Sequence, residues 1–129
     1  MRKILTEISA GELLDKLSIL EIKLNKIKDS NLLQEIKKEY NILNETKNKN
    51  INSLNEINFL YKCLKEINEK LWRIEDEIRL CEKTSDFKDK FIQLARDVYF
   101  TNDKRSKTKN KINKILGSNI KEVKQYTEY

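Results

Sequence analysis

Apolar residues recur through the second half of this chain at alternating steps of four and three. Leu60, Leu64, Ile67, Leu71, Ile74, Ile78 and Cys81 form one row, and Phe87, Phe91, Leu94, Val98, Thr101, Arg105, Thr108, Ile112 and Ile115 continue it past a break at Thr84 and Ser85. Side chains on a strand change face at every residue, so this spacing belongs to helices. It predicts two long helices, over residues 53–83 and 85–116, folded back on each other, with Ser85 as N-cap and Asp86 and Asp89 in the first turn of the second. Gly117 stands where such a helix ends.

The first half reads as two shorter helices. Ser9, with Glu12 three residues on, makes a capping box that opens a helix over residues 9–28. Its main seam is Leu13, Leu17, Leu20, Leu24 and Ile27, and Ile19 and Ile22 add a second stripe on the opposite side. A helix apolar on two faces belongs between neighbours, so this one is expected at the centre. A second helix spans residues 31–47 with Leu33, Ile36, Tyr40 and Leu43 inward, and the Asn- and Lys-rich stretch 44–52 reads as the longest loop. Residues 3–8 read as an extended segment pairing with residues 120–125. The expected fold is one all-α domain: a four-helix antiparallel bundle dominated by a long C-terminal hairpin, with a short β pairing of the termini. Helices of about 30 residues reach roughly 45 Å, and two short helices cannot cover so long a hairpin unless they spread along it or a second subunit helps. A symmetric homodimer resolves that mismatch.

Composition narrows the chemistry. In 129 residues there is no histidine and no proline, and there are two cysteines and two glycines. Without histidine there is no imidazole base, no Ser-His-Asp or Cys-His nucleophile and no imidazole metal ligand. Cys63 and Cys81 sit about 27 Å apart along one helix and cannot bridge, which favours reduced thiols and a cytoplasmic setting. Gly11 and Gly117 cannot build a phosphate-binding loop. Glu66 and Glu69 provide the first half of the paired-carboxylate pattern of helical nucleotide pyrophosphatases, but the second half is missing and Glu12/Asp15 lies upstream. No catalytic residue, metal ligand or cofactor is assigned. No apolar run is long enough to cross a membrane, and residues 1–8 are too short and too charged for a signal peptide.

Charge is uneven. Residues 1–103 carry 19 basic and 19 acidic side chains, and residues 104–129 carry eight basic and two acidic, so the whole excess of +6 is C-terminal. That run suits an anionic partner such as nucleic acid, or it is a solvated helix end whose lysines favour the dipole. Four of the five arginines, Arg73, Arg79, Arg96 and Arg105, fall within 33 residues. An antiparallel register about the Thr84–Ser85 turn sets Val98 beside Leu71, Thr101 beside Asn68, Arg105 beside Leu64 and Thr108 beside Tyr61. Thr101, Arg105 and Thr108 then form a polar band in an apolar seam. Glu21 projects into the main arc of the first helix, and its natural partner is Arg105 or a neighbouring arginine. The pair either fixes helix register or lines a pocket for a small carboxylate or phosphate, with Lys16, Glu21, Arg79, Arg96, Tyr99, Asn102, Asp103 and Arg105 as candidate ligand-binding residues. Helical isomerases of the chorismate mutase type surround a dianion with cations in this way, an analogy of fold only.

Residues 11–23 (GELLDKLSILEIK), 71–79 (LWRIEDEIR) and 91–105 (FIQLARDVYFTNDKR) resemble a bacterial family of small uncharacterised all-helical proteins, known only as a domain of unknown function. The resemblance implies that the first helix and the polar band belong to one design, and supplies no catalytic residues. The expected function is that of a cytoplasmic, non-enzymatic scaffold or adaptor, a homodimer with a protein partner. The alternatives are the anionic-ligand or isomerase-like pocket, which leaves enzymatic activity open, and nucleic-acid binding through residues 104–121.

Overall fold

The computed structural model describes residues Met1–Tyr129 and contains four helices and no strand: α1 (Ala10–Lys26), α2 (Ser30–Asn50), α3 (Asn55–Lys83) and α4 (Asp89–Leu116). None of them is long and apolar enough to cross a membrane. α1 is central and packs against the other three, whereas the α2 backbone approaches α1 alone. Ser9 caps α1, its Oγ accepting from the Glu12 amide at 3.1 Å. Glu12 does not complete the capping box, because its carboxylate accepts from Lys109 of α4 at 2.7 Å.

Two apolar clusters hold the helices. Leu13, Leu14 and Leu17 of α1 meet Ile57, Leu60 and Leu64 of α3 and Ile112 of α4. Farther along, Ile74 and Cys81 meet Leu94, flanked by Leu71, Ile78, Phe91 and Val98. The start of α3 thus shares a core with the end of α4, and the end of α3 with the start of α4. α1 reaches only the first cluster. The second is built from α3 and α4 alone, with three buried residues.

Several local expectations are corrected. α2 runs to Asn50, through most of the stretch read as a loop. Its polar side chains turn back onto their own helix: Thr46 Oγ1 donates to the Ile42 carbonyl, Lys49 pairs with Glu45, and Asn50 Nδ2 donates to the Thr46 carbonyl at 2.8 Å. Groups that ordinarily compete with a helix here close its last turns. Ser85 does not cap α4. It sits in the left-handed region at φ 54° and ends α3, where the Asp86 amide donates to the Cys81 carbonyl at 2.8 Å and the Ser85 amide to that of Glu82 at 3.2 Å, the bonding of a Schellman motif. Gly117, at φ 64°, closes α4 with the same pair of bonds. An L-residue pays for the left-handed conformation with about 1–2 kcal/mol. Ser85→Gly should therefore raise stability by roughly 0.5–1 kcal/mol after its backbone entropy cost, read as a melting temperature about 2–4 °C higher. A lower melting temperature would mean the serine side chain contributes more than its strain.

The termini form no β pairing. Residues 1–9 and 118–129 lie outside any regular element and meet through side chains: the Ala10 amide donates to Ser118 Oγ at 2.8 Å, and Asn119 Nδ2 to Glu7 at 3.0 Å. With no amide-to-carbonyl ladder, the apolar residues of the first segment stay out of the core, with Ile4 and Leu5 more than four-fifths exposed.

Candidate functional site

Between the two apolar clusters lies a buried polar belt centred on Asp15 of α1, which is 1% exposed. Asp15 Oδ1 accepts from Asn68 Nδ2 of α3 and from Arg105 Nε of α4, each at 2.9 Å, and Oδ2 accepts from Arg105 Nη2 at 2.5 Å. Ser18, one turn on, donates to the Asp15 carbonyl and accepts from the second N–H of the Asn68 amide at 2.8 Å. That carboxylate fixes which way the amide faces, since an ionised carboxylate can only accept. Thr101 is buried in the same belt. The hydrogen bond that Arg105 donates to Asp15 raises its guanidinium above the ordinary range, outweighing the opposing effect of burial.

A second hub lies one turn further on. Lys109 is 5% exposed, and its ammonium sits 2.7 Å from Glu12, 3.2 Å from Glu122 and 4.0 Å from Asp15. Burial alone lowers the Lys109 ammonium, but the bonds to Glu12 and Glu122 outweigh it and raise it. Glu122 belongs to the C-terminal segment, which runs back over α4. Asn110 Nδ2 donates to the Glu122 carbonyl at 3.1 Å, and the Tyr129 hydroxyl donates to Asp103, which pushes the phenol up to about 12. Arg105 and Lys109 are thus turned inward from the basic run, while Lys104, Lys107, Lys111 and Lys114 remain exposed along one face of α4.

Arg105 is the sequence candidate that the belt includes, but with a different partner. Glu21 is not paired with Arg105. It is partly exposed and sits 3.2 Å from Lys65 of α3, near Tyr40 of α2 and Tyr61 of α3. Burial, then the hydrogen bond and negative charge of Glu21, raise the Tyr61 phenol; burial, then the charge and hydrogen bond of Glu21, raise that of Tyr40. Glu21 points away from the band because it lies on the other side of α1 from Asp15. The signal that could have found Asp15 is its place one turn before Ile19 and Ile22, at the same four-then-three spacing.

Two grooves open beside Arg105. One, of about 470 Å³, lies between α3 and α4 where α1 ends. Its walls are Ile19, Leu71, Trp72 and Val98, and its polar rim includes Arg105, Asn102, Asp76 and Arg79. The other, of about 390 Å³, is lined by Asp15, Lys16, Lys23, Glu39 and Arg105. Of the other candidates, Lys16 pairs with Glu39 at 3.2 Å, and Arg79 pairs along its own helix with Glu75 at 3.3 Å. Arg96, Tyr99 and Asp103 line neither groove. Arg96 lies over the Phe100 ring, Tyr99 packs tilted against Phe100 and edge-to-face against Tyr129, and Asp103 holds the Tyr129 hydroxyl. The eight candidates therefore divide among four places: the larger groove, the smaller groove, the Glu21–Lys65 pair, and the ring cluster of Phe100 and Tyr129. No three His, Cys, Asp or Glu side chains are grouped to hold a metal ion.

Beyond the grooves, the far half of α3 and α4 has no third helix over it. Leu80, Phe87 and Ile92 are 57%, 50% and 53% exposed there, although Phe87 meets Phe91 edge-to-face at 5.3 Å.

A family model, Family of unknown function (DUF6165), matches residues 4–128. The chain belongs to this family. The match takes in the whole belt, from Glu12 and Asp15 to Lys109 and Glu122. No curated protein and no solved structure matches the chain.

Proposed function

We propose that this member of DUF6165 is a non-enzymatic helical scaffold that works as a homodimer, joined through the far half of its two long helices. The reading takes α3 and α4 as an antiparallel hairpin, supported by the cores that their opposite ends share. The observation that carries it is the three-residue second core flanked by exposed Leu80, Phe87 and Ile92. Two helices alone bury too little to offset the entropy of ordering them, whereas a second copy supplies two more helices and closes a four-helix layer.

Charge favours self-pairing. Residues 72–83 carry four acidic and three basic side chains, and residues 88–98 carry two acidic and three basic. In a two-fold arrangement the more acidic edge of one copy meets the more basic edge of the other. Two free cysteines suit a reducing compartment such as the cytoplasm.

Sedimentation of the full chain should give a dimer. Ile92→Glu removes an apolar side chain worth about 1.5–3 kcal/mol on burial, so it should weaken association by about tenfold or more and leave helicity intact. A wild-type monomer at every soluble concentration would refute the reading.

A further inference from the structure

We infer that the groove between α3 and α4 at the end of α1 binds a small carboxylate with an elongated apolar body, its head on Arg105 and Asn102 and its chain along Leu71, Trp72 and Val98. A guanidinium has five N–H donors. Asp15, itself 1% exposed, takes two of them through Nε and Nη2, and so fixes the plane of the fork from the protein side. Three donors remain on a side chain that lines the groove and is 28% exposed. A carboxylate accepts two parallel N–H bonds from such a fork, and this one is already held in place, so little freedom is lost on binding.

Asn102, one turn before Arg105 on α4, lines the same groove with its amide uncommitted. The apolar walls continue away from this head along α3. Asn68 stands beside Arg105 through Asp15, and Asp76 on the rim is eight residues further, about 12 Å along the helix. At about 470 Å³ the groove falls within the range of small-molecule sites. Asp76 has no ion-pair partner, since Arg79 on the same rim pairs with Glu75. With two acids against one cation the far end keeps a net negative charge and repels a second carboxylate, so the site selects a monocarboxylate over a dicarboxylate of equal length. This assignment is independent of the dimer reading, which concerns residues nearer the end of the hairpin.

Trp72 is the only tryptophan in the chain and lines the groove, so its fluorescence reports occupancy without a label. Full-length protein at one fixed concentration would be titrated with octanoate, octanedioate and octylamine. Octanoate should shift the Trp72 emission saturably, octanedioate should bind several-fold more weakly, and octylamine should leave the emission unchanged. Asp76→Asn should remove the difference between the two acids. Arg105→Lys keeps a cation for Asp15 but loses the fork, and should weaken octanoate at least tenfold. Asn102→Asp leaves the Asp15–Arg105 pair untouched, places a carboxylate at the head position, and should abolish the response with helicity unchanged. No shift with octanoate, an equal response to octylamine, or an Asn102→Asp protein that still binds octanoate would each overturn the assignment.

Discussion

Asp15→Ala is expected to remove a large part of the folding free energy, about 3 kcal/mol or more, out of the 5–15 kcal/mol typical of a domain. Asp15 has almost no contact with solvent and accepts from both α3 and α4. Its loss leaves one N–H of the Asn68 amide without an acceptor, the other staying on Ser18, and leaves Arg105 without its counter-charge. The cost should sit near the lower end of the range for breaking a buried pair, because Arg105 is 28% exposed on its side chain and can turn toward water. Urea unfolding of the single variant measures the loss. Asp15→Leu combined with Arg105→Met should recover at least half of it, since apolar replacement of a whole buried pair is often near neutral. A single-variant loss below about 1 kcal/mol would place the pair among ordinary surface ion pairs.

Gly11→Ala should destabilise the protein by about 2 kcal/mol, although alanine exceeds glycine in helix propensity by about 1 kcal/mol. A Cβ at Gly11 would lie 2.5 Å from the Lys109 carbonyl oxygen and 2.8 Å from Asn113 Oδ1. The first is backbone and cannot swing aside. The second accepts from the Gly11 amide at 2.6 Å, and Asn113 is 1% exposed. α1 and α4 must separate to admit the methyl group, and Glu12 would be drawn from Lys109 in the same movement. Thermal unfolding read by circular dichroism checks this. A stabilised Gly11→Ala would show that propensity outweighs the close approach and that the two helices are not in contact there.

The four helices were legible because helical periodicity is a property of consecutive residues. Leu13, Leu17 and Leu20 of α1, and Leu64, Ile74, Leu94 and Ile112 of the long helices, lie on the predicted seams and are all buried. Helix ends were less legible. Asn and Thr at the end of α2 have two competing uses, and only the carbonyls actually within reach decide between helix and loop. Ser85 looked like a cap because serine is a good one, yet it is needed in a left-handed turn. Gly11 carries no local signal of its role, which depends on how near α4 comes.

Local order along the chain was enough to establish an all-helical protein with a polar interruption near Arg105, since hydrophobic spacing and the missing breakers act on neighbours in sequence. Which acid answers that arginine was settled only by packing. Asp15 and Glu21 are both acids on α1, six residues apart, and although Asp15 shares the four-then-three spacing of Ile19 and Ile22, that spacing does not say which stripe meets α4. Bringing α3 and α4 against one side of α1 seals Asp15 from water, where a lone charge is costly and must find Arg105. Glu21 lies away from α4 and is left to Lys65 of α3 and two tyrosines. Pairing across 90 residues is a consequence of burial, and burial is a property of the assembled helices.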